Sequence, residues 1–151
     1  MSVSALIKEG AAQLSLALSA EQLAQAEGFL ALLEKWNQAM NLTGIDDAAQ
    51  GVGLHLMDSF ASHQHITGAS ICDLGSGAGV PGIPLAILLP GKDFILLDSN
   101  AKKTHFMTQA RIELKLNNIT VVQDRVETWQ GKFDHLVCRA YAHLNKIVSA
   151  S

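Results

Sequence analysis

Three glycines at alternating positions, in Asp73-Leu-Gly-Ser-Gly-Ala-Gly-Val-Pro-Gly-Ile-Pro84, constrain this chain more than any other feature of it. An apolar segment of strand character precedes the run and one of helical character follows it, so Gly75, Gly77 and Gly79 fall in a strand-to-helix turn. Glycine lacks Cβ and reaches positive φ without strain, which lets such a turn be sharp and lets a ligand approach its backbone closely. The first amides of the following helix have no intrahelical partners. They are expected to face outward, unpaired, toward a nucleotide-like ligand.

The segments around the loop set the fold class. Ser70 to Leu74 reads as a buried strand, Pro81 to Leu89 as a short helix that tolerates proline in its first turn, and Phe94 to Asp98 as a second strand. Asn100 to Leu116 follows as a helix. Ile119 to Val122 and Phe133 to Cys138 are two further apolar runs, and His143 to Val148 begins another helix. Strands alternating with helices call for parallel pairing, so the expected class is α/β with an open parallel sheet. Such sheets ordinarily carry further units beyond a fourth strand. The chain is therefore expected to be incomplete at its C-terminus, with a strand edge and apolar surface left for another element to cover.

Ahead of the sheet, the first sixty residues read as helical. Ser19-Ala-Glu-Gln22 matches a capping box, and Leu23, Ala26, Leu30, Leu33 and Trp36 or Asn37 recur behind it at helical spacing. This helix should stop near Asn41 to Gly44. Asp46 or Asp47 is then placed to cap another helix, with Leu54, Met57 and Phe60 on one side. The expected division is a helical cap over residues 1–66 and a sheet domain over residues 67–151.

Composition excludes several classes. With 48% hydrophobic and 17% charged residues over 151 positions, the chain is neither disordered nor fibrous. No apolar run approaches the roughly 20 residues of a membrane span, and the N-terminus lacks the pattern of a secretory signal, so a cytoplasmic location is expected. Cys72 and Cys138 fall inside strand segments and read as reduced, buried thiols without chemistry. Residues 1–91 hold two Lys/Arg against eight Asp/Glu, a balance of −6, whereas residues 92–151 hold nine against six, a balance of +3. The basic second half, including Lys102, Lys103, Arg111, Lys115, Arg125, Lys132, Arg139 and Lys146, could attract phosphate, although solvated helix faces have the same composition.

Two ligand classes compete for the glycine loop. Gly77-Ala-Gly-Val-Pro-Gly82 followed by Asp98 satisfies a dinucleotide fingerprint on paper. Counted from the first glycine, however, the series is G-x-G-x-G with Asp73 two residues ahead, where dinucleotide sites usually have an apolar strand residue. An acid there suits a ligand with a positively charged amino group, such as S-adenosylmethionine. Asp98, at the end of the next strand, suits ribose hydroxyls in either case.

The loop, with Trp36-Asn-Gln-Ala-Met-Asn-Leu-Thr43 and His55-Leu-Met-Asp-Ser59 upstream, resembles the small-subunit ribosomal RNA methyltransferase G family, also called glucose-inhibited division protein B. The resemblance continues through Leu97-Asp-Ser-Asn-Ala-Lys-Lys103, Leu114-Lys-Leu-Asn-Asn-Ile119, Arg125-Val-Glu127 and Cys138-Arg-Ala140, and so spans nearly the whole chain. It implies a Rossmann-like class I methyltransferase that moves a methyl group from S-adenosylmethionine to N7 of a guanine in 16S ribosomal RNA. Free RNA or the small ribosomal subunit would be the partner, the full-length protein would be a monomer, and no membrane or metal would be involved. The resemblance further assigns Gly75 and Val80 to the cofactor loop, Val126 and Glu127 to the adenine region, and Arg139 to the position after the fourth strand. The chemistry of the loop adds Asp73, Gly77, Gly79 and Asp98 to the cofactor site. A nucleotide-dependent oxidoreductase and a non-catalytic RNA-binding module are the alternatives from other classes.

Guanine N7 carries a free lone pair, so no general base is expected, and Arg139 is the candidate for orienting substrate or cofactor. A salt bridge from Arg139 to Asp73 or Asp124 is the structural alternative. His55 and Asp58, three apart, are expected on one helix face, where they close the cofactor pocket or fix the helical cap, with substrate contact as the alternative. His63 and His65 read as exposed helix-end residues. Trp36 and Asn41 read as a helix end packed on the sheet, forming a wall of the site. Lys102 and Lys103, at a helix start beside Asp98, could reach RNA phosphate or could be ordinary solvated lysines.

Overall fold

A computed structural model of the chain describes residues 1–44, 47–75 and 77–138. Its centre is a four-stranded parallel sheet of β1 (Ser70–Leu74), β2 (Asp93–Asp98), β3 (Ile119–Gln123) and β4 (His135–Val137), in the order β3-β2-β1-β4. Strand order reverses at β1, whose neighbours are β2 on one side and β4 on the other. In open α/β sheets a ligand crevice forms beyond the carboxyl ends of the strands at such a reversal, and the glycine loop leaves β1 there.

The two-residue period of the strands fixes what each face meets. Ile71, Phe94 and Leu96 point into the main core with α5 (Gly82–Leu88) and α6 (Ala101–Glu113), whereas Cys72, Leu74 and Leu97 point the other way, onto Trp129 and Phe133 of the β3–β4 connection. By the same alternation, the carboxyl-end acids Asp73 and Asp98 lie on the helix side. The helix expected from Asn100 is α6, with Asn100 as its cap. The helix expected over 143–148 lies outside the described residues.

The N-terminal helices, α1 (Val3–Gln13) and α2 (Ala20–Met40), share the main core with α5 and α6. Phe29, Leu30 and Leu33 of α2 are buried there, and each fully buried side chain of this size contributes about 1.5–3 kcal/mol. The capping box is formed as expected: Gln22 N donates to Ser19 Oγ at 3.0 Å, and Ser19 N donates to Gln22 Oε1 at 2.9 Å. Gln22 Nε2 then donates to the carbonyl oxygens of Ile87 and Leu88, and Gln25 Nε2 to that of Leu114, so α2 caps the C-terminal ends of α5 and α6. Asn118 Nδ2 serves Ala86, Leu89 and Lys92 in the same way.

The region after Asn41 departs from expectation. Asp47 caps a helix as predicted, through its Oδ1 and the amide of Ala49 at 2.9 Å, but that helix is not regular. A four-residue turn, α3 (Ala48–Gly51), widens into a π-helical stretch (Val52–Met57), resumes as α4 (Asp58–Ala61) and ends in a 3-10 turn (Ser62–His65). The widened turns bond i to i+5 and rotate every later side chain off the α-helical register. Phe60 is therefore buried, while Leu54, expected beside it, is 47% exposed.

At the amino ends of the strands, Asp134 Oδ2 accepts from the amides of Ala69 at 2.8 Å and Ser70 at 3.1 Å, and Lys92 Nζ donates to Gly68 O. The Asp134 bonds hold the start of β4 to the start of β1, and the Lys92 bond ties the residue before β2 to the approach to β1. The two amides, assisted by Lys92, keep the Asp134 carboxyl below the ordinary carboxylate range. The ionised form is thus preferred in the folded state. Its contribution is present above the unfolded value of about 3.9 and is lost as pH falls through the lower folded value. Asp134→Asn should lower the urea midpoint at pH 7 and flatten its decline between pH 5 and pH 3; an acid limb as steep as that of the parent would contradict this role.

Beneath the glycine loop, Gly82 begins α5 where a Cβ would collide with Leu96 Cδ2 and lie 2.6 Å from Asp73 Oδ2. Gly82→Ala is accordingly expected to cost about 1–3 kcal/mol through overpacking. Gly91→Ala, where nothing lies within 4 Å of the added carbon, is the control and should shift the urea midpoint little. Equal midpoints for the two variants would show that the packing under the loop is slack.

Candidate functional site

The loop between β1 and α5 needs its glycines for backbone reasons. Gly75, Gly77 and Gly79 have φ of +67°, +60° and +83°, the left-handed region that side chains resist. The loop amides, however, are not the outward-facing donors that the sequence suggested. Gly82 N donates to Asp73 Oδ2 at 2.8 Å, Gly77 N to Asp98 Oδ2 at 2.9 Å, and Gly75 N to Leu97 O at 2.7 Å. Ile83 N turns back to Gly79 O at 2.6 Å. The reason lies in strand parity, which brings both carboxyl-end acids under the loop. Asp73, 1% exposed, ties the start of α5 to β1, and Asp98, 9% exposed, ties the loop to β2.

Asp98 also accepts from Asn100 N through Oδ1 at 2.8 Å, so one carboxylate joins the loop to the start of α6. On its far side it lines a cleft of about 580 Å³ with Gly75, Ser99 and the turn Asp124 to Thr128. That volume lies within the usual range of about 300–1,000 Å³ for small-ligand sites. No atom stands within 4 Å of where a Cβ of Gly75 would project, so the cleft reaches the backbone itself. The opposite wall is held by Asp124: its Oδ1 accepts from Thr128 Oγ1 at 2.6 Å and from Arg125 N at 2.7 Å. These two bonds, Thr128 first, draw the Asp124 carboxyl below the ordinary range. Trp129 and Phe133, stacked with centroids 6.0 Å apart, follow this turn.

Of the residues singled out in the sequence, Gly75, Asp98, Val126 and Glu127 meet in this cleft. Gly77 is joined to it through Asp98, and Asp73 supports it from below. Gly79 packs toward Ile83, where an added Cβ would lie 2.9 Å from Cγ1. Val80 turns into a second depression of about 330 Å³, shared with Asp58, Pro81, Val137 and Cys138. Arg139 lies outside the described residues, as does any contact it makes with Asp73 or Asp124.

His55 and Asp58 do not share a face. His55 is 3% exposed, with Nε2 3.3 Å from Thr43 Oγ1 where the chain leaves α2, whereas Asp58 is exposed and borders the second depression. The π-helical turn between them is the cause. His65 is exposed as expected, while His63 is half-buried, its Nδ1 2.8 Å from Phe60 O. Trp36 packs on His105 and Phe106 of α6, with centroids 5.3 and 5.7 Å apart, and does not line the cleft beside the loop. Lys102 and Lys103 diverge: Lys103 is half-buried with Nζ 3.9 Å from the Cβ position of Gly77, while Lys102 faces a separate groove.

Cys72 is fully buried, and burial, reinforced by the charge of Asp73, pushes its thiol up to about 12. It stays protonated and inert at neutral pH. Cys138, expected to be buried, is only partly so. Among the described residues no three His, Cys, Asp or Glu side chains converge on a possible metal position, and no helix is long and apolar enough to cross a membrane. Sequence reasoning missed two links, the Asp98–Gly77 bond and the reach of Lys103 over the loop. The available signal for both was the parity of β2 and the two-residue step from Asp98 to the Asn100 cap.

A family model described as rRNA small subunit methyltransferase G matches residues 22–151, which include both walls of the cleft. Relatives bearing the name ribosomal RNA small subunit methyltransferase G include one from Marinomonas sp. (strain MWYL1), 49% identical over 145 residues, or 95% of this chain and 70% of the relative. Another, from Nitrosococcus oceani, is 45% identical over 146 residues, covering 95% of this chain and 68% of the relative. A third, from Erwinia tasmaniensis, is 44% identical over 149 residues, covering 97% and 71%. A match of that extent, on a chain whose sheet order and glycine loop suit a methyltransferase domain, means that this chain belongs to the rRNA small subunit methyltransferase G family.

Proposed function

We propose that the chain carries the methyl-donor site of an S-adenosylmethionine-dependent methyltransferase acting on N7 of a guanine in 16S ribosomal RNA, free or in the small subunit. Family membership supports methyl transfer, and one structural observation favours a methyl donor over a dinucleotide. A dinucleotide pyrophosphate sits on free amides at a helix start. Here the amides of Gly77 and Gly82 already serve the carboxylates of Asp98 and Asp73. Two acids under the loop disfavour a bound pyrophosphate and favour a ligand bearing positive charge.

In this reading the open backbone at Gly75, the Asp98 carboxylate and the Val126–Glu127 wall take the adenosine half. Gly77 and Gly79 give the loop its path, Asp73 fixes it from beneath and supplies negative charge near the amino-acid half, and Val80 borders that half. Arg139 orients substrate or cofactor. Residues 1–66 form a helical cap on the sheet domain of residues 67–151, with His55 fixing that cap and Asp58 at the rim on the substrate side. When bound, the cofactor supplies an electrophilic methyl group on a sulfonium. Guanine N7 would attack the methyl carbon with its own lone pair as the carbon–sulfur bond breaks and the neutral thioether leaves, so these side chains need remove no proton; they hold the partners in line, which can be worth about 7–11 kcal/mol.

Calorimetric titration with S-adenosylhomocysteine tests the reading. Gly77→Val puts a β-branched side chain at positive φ, and Asp98→Ala removes a charged acceptor. Each should weaken binding roughly tenfold or more while the protein stays folded by circular dichroism, since a charge-assisted hydrogen bond is worth about 1.5–3 kcal/mol. Unchanged affinity in both variants, or tight binding of NADH in place of S-adenosylhomocysteine, would refute it.

A further inference from the structure

The adjacent lysines at the start of α6 lead to different places. Lys103 lies against Gly77 at the proposed donor site, whereas Lys102 borders a groove of about 580 Å³ along the β3 edge of the sheet, with Met40, His105, Thr108, Val121 and Gln123. No aspartate or glutamate lines this groove. His105 is exposed, and its ring rests against the half-buried Trp36 with centroids 5.3 Å apart, an aromatic platform with one side in solvent. The carboxylate at the start of this helix, Asp98 on the amide of Asn100, lines the cleft beside Gly75 and not this groove. On the groove side the first turn of α6 presents Lys102 with no acidic residue beside it.

We infer that the groove receives a single-stranded segment of RNA flanking the methylated base, with Lys102 at a phosphate and His105 as a stacking surface for a base. The inference rests on the methyltransferase reading above and extends it to how the substrate is held. Charge selects a polyanion: the groove offers a cation, an imidazole, two hydroxyls and a carboxamide, with no acid to repel phosphate. Continuity selects the flank of the substrate itself. Because Lys102 and Lys103 are neighbours, one strand passing over the start of α6 meets the proposed donor site at Lys103 and the groove at Lys102. Stacking on histidine and a single lysine contact suit unpaired RNA, whose bases can splay out, better than a duplex.

Lys102→Glu and His105→Ala separate these contributions in the full chain. The probes are a single-stranded 16S ribosomal RNA fragment, followed by fluorescence anisotropy across a salt series, and S-adenosylhomocysteine. Lys102→Glu should weaken RNA binding at least tenfold at low salt and lower the slope of log affinity on log salt by about 0.7, one single-strand phosphate contact. His105→Ala should weaken it about fivefold or more with the slope unchanged. Both should bind S-adenosylhomocysteine as the parent does, which also reports that they are folded, and Lys8→Glu on the exposed side of α1 should match the parent in RNA binding. If the parent and both variants bind S-adenosylhomocysteine and bind RNA equally, or if the parent binds the cofactor product but no RNA, the groove assignment is overturned while the donor site stands. A parent that binds no S-adenosylhomocysteine overturns the methyltransferase reading and this inference with it.

Discussion

Two carboxylates at the ends of adjacent strands decide the shape of everything around the glycine loop. Asp73 and Asp98 each accept a loop amide, at Gly82 and Gly77, from beneath a turn that would otherwise present unpaired donors. A buried amide without a partner costs about 1–3 kcal/mol, so these bonds make a conformation with three positive-φ glycines tolerable. They also fix its position relative to the sheet. Through Asn100, Asp98 extends the same constraint to the start of α6, where Lys102 and Lys103 diverge. Loop, second strand and sixth helix are therefore joined through one carboxylate.

The helix layer supports that piece from behind by a related device. Helix ends leave four carbonyl groups without intrahelical partners, and the ends of α5 and α6 lie under α2. Gln22, Gln25 and Asn118 supply amide donors to those carbonyls, and Gln22 does so while completing the capping box of its own helix. One side chain thus starts α2 and finishes α5. Such bonds have defined geometry, unlike apolar contact, so they fix which residues of α2 meet the ends of α5 and α6. The apolar core then fills around it.

The sequence showed the parts of the fold that local rules control. Short apolar runs located the four strands of the described residues, Ser19 and Gln22 marked the start of α2, and the resemblance to the methyltransferase G family was visible in the loop and its flanks. What it did not show arises from contacts between segments. Asp73 looked like a ligand-facing acid because parity alone does not say whether a strand-end carboxyl meets solvent or the amide of the next helix. His55 and Asp58 looked like one face because three-residue spacing assumes α-helical turns, and nothing in Val52 to Met57 announces a π-helical stretch. Trp36 looked like a wall of the site until α6 was in place to receive it.

This arrangement bears on how little side-chain chemistry the proposed reaction needs. Transfer to a nitrogen that already holds a lone pair asks for no tuned acid or base, and the one strongly raised group among the described residues, Cys72, is raised by burial in the sheet, away from solvent. The demand falls on geometry instead. A site that works by alignment loses rate when its walls drift, because misplacement by about 1 Å can cost a hundredfold. Here the floor is backbone at Gly75, the near wall is a carboxylate fixed by two amides, and the far wall is a turn whose acid is engaged by Thr128 and Arg125. Each wall is held by hydrogen bonds made without a ligand, so the ordering cost is met during folding. Binding then need not supply it.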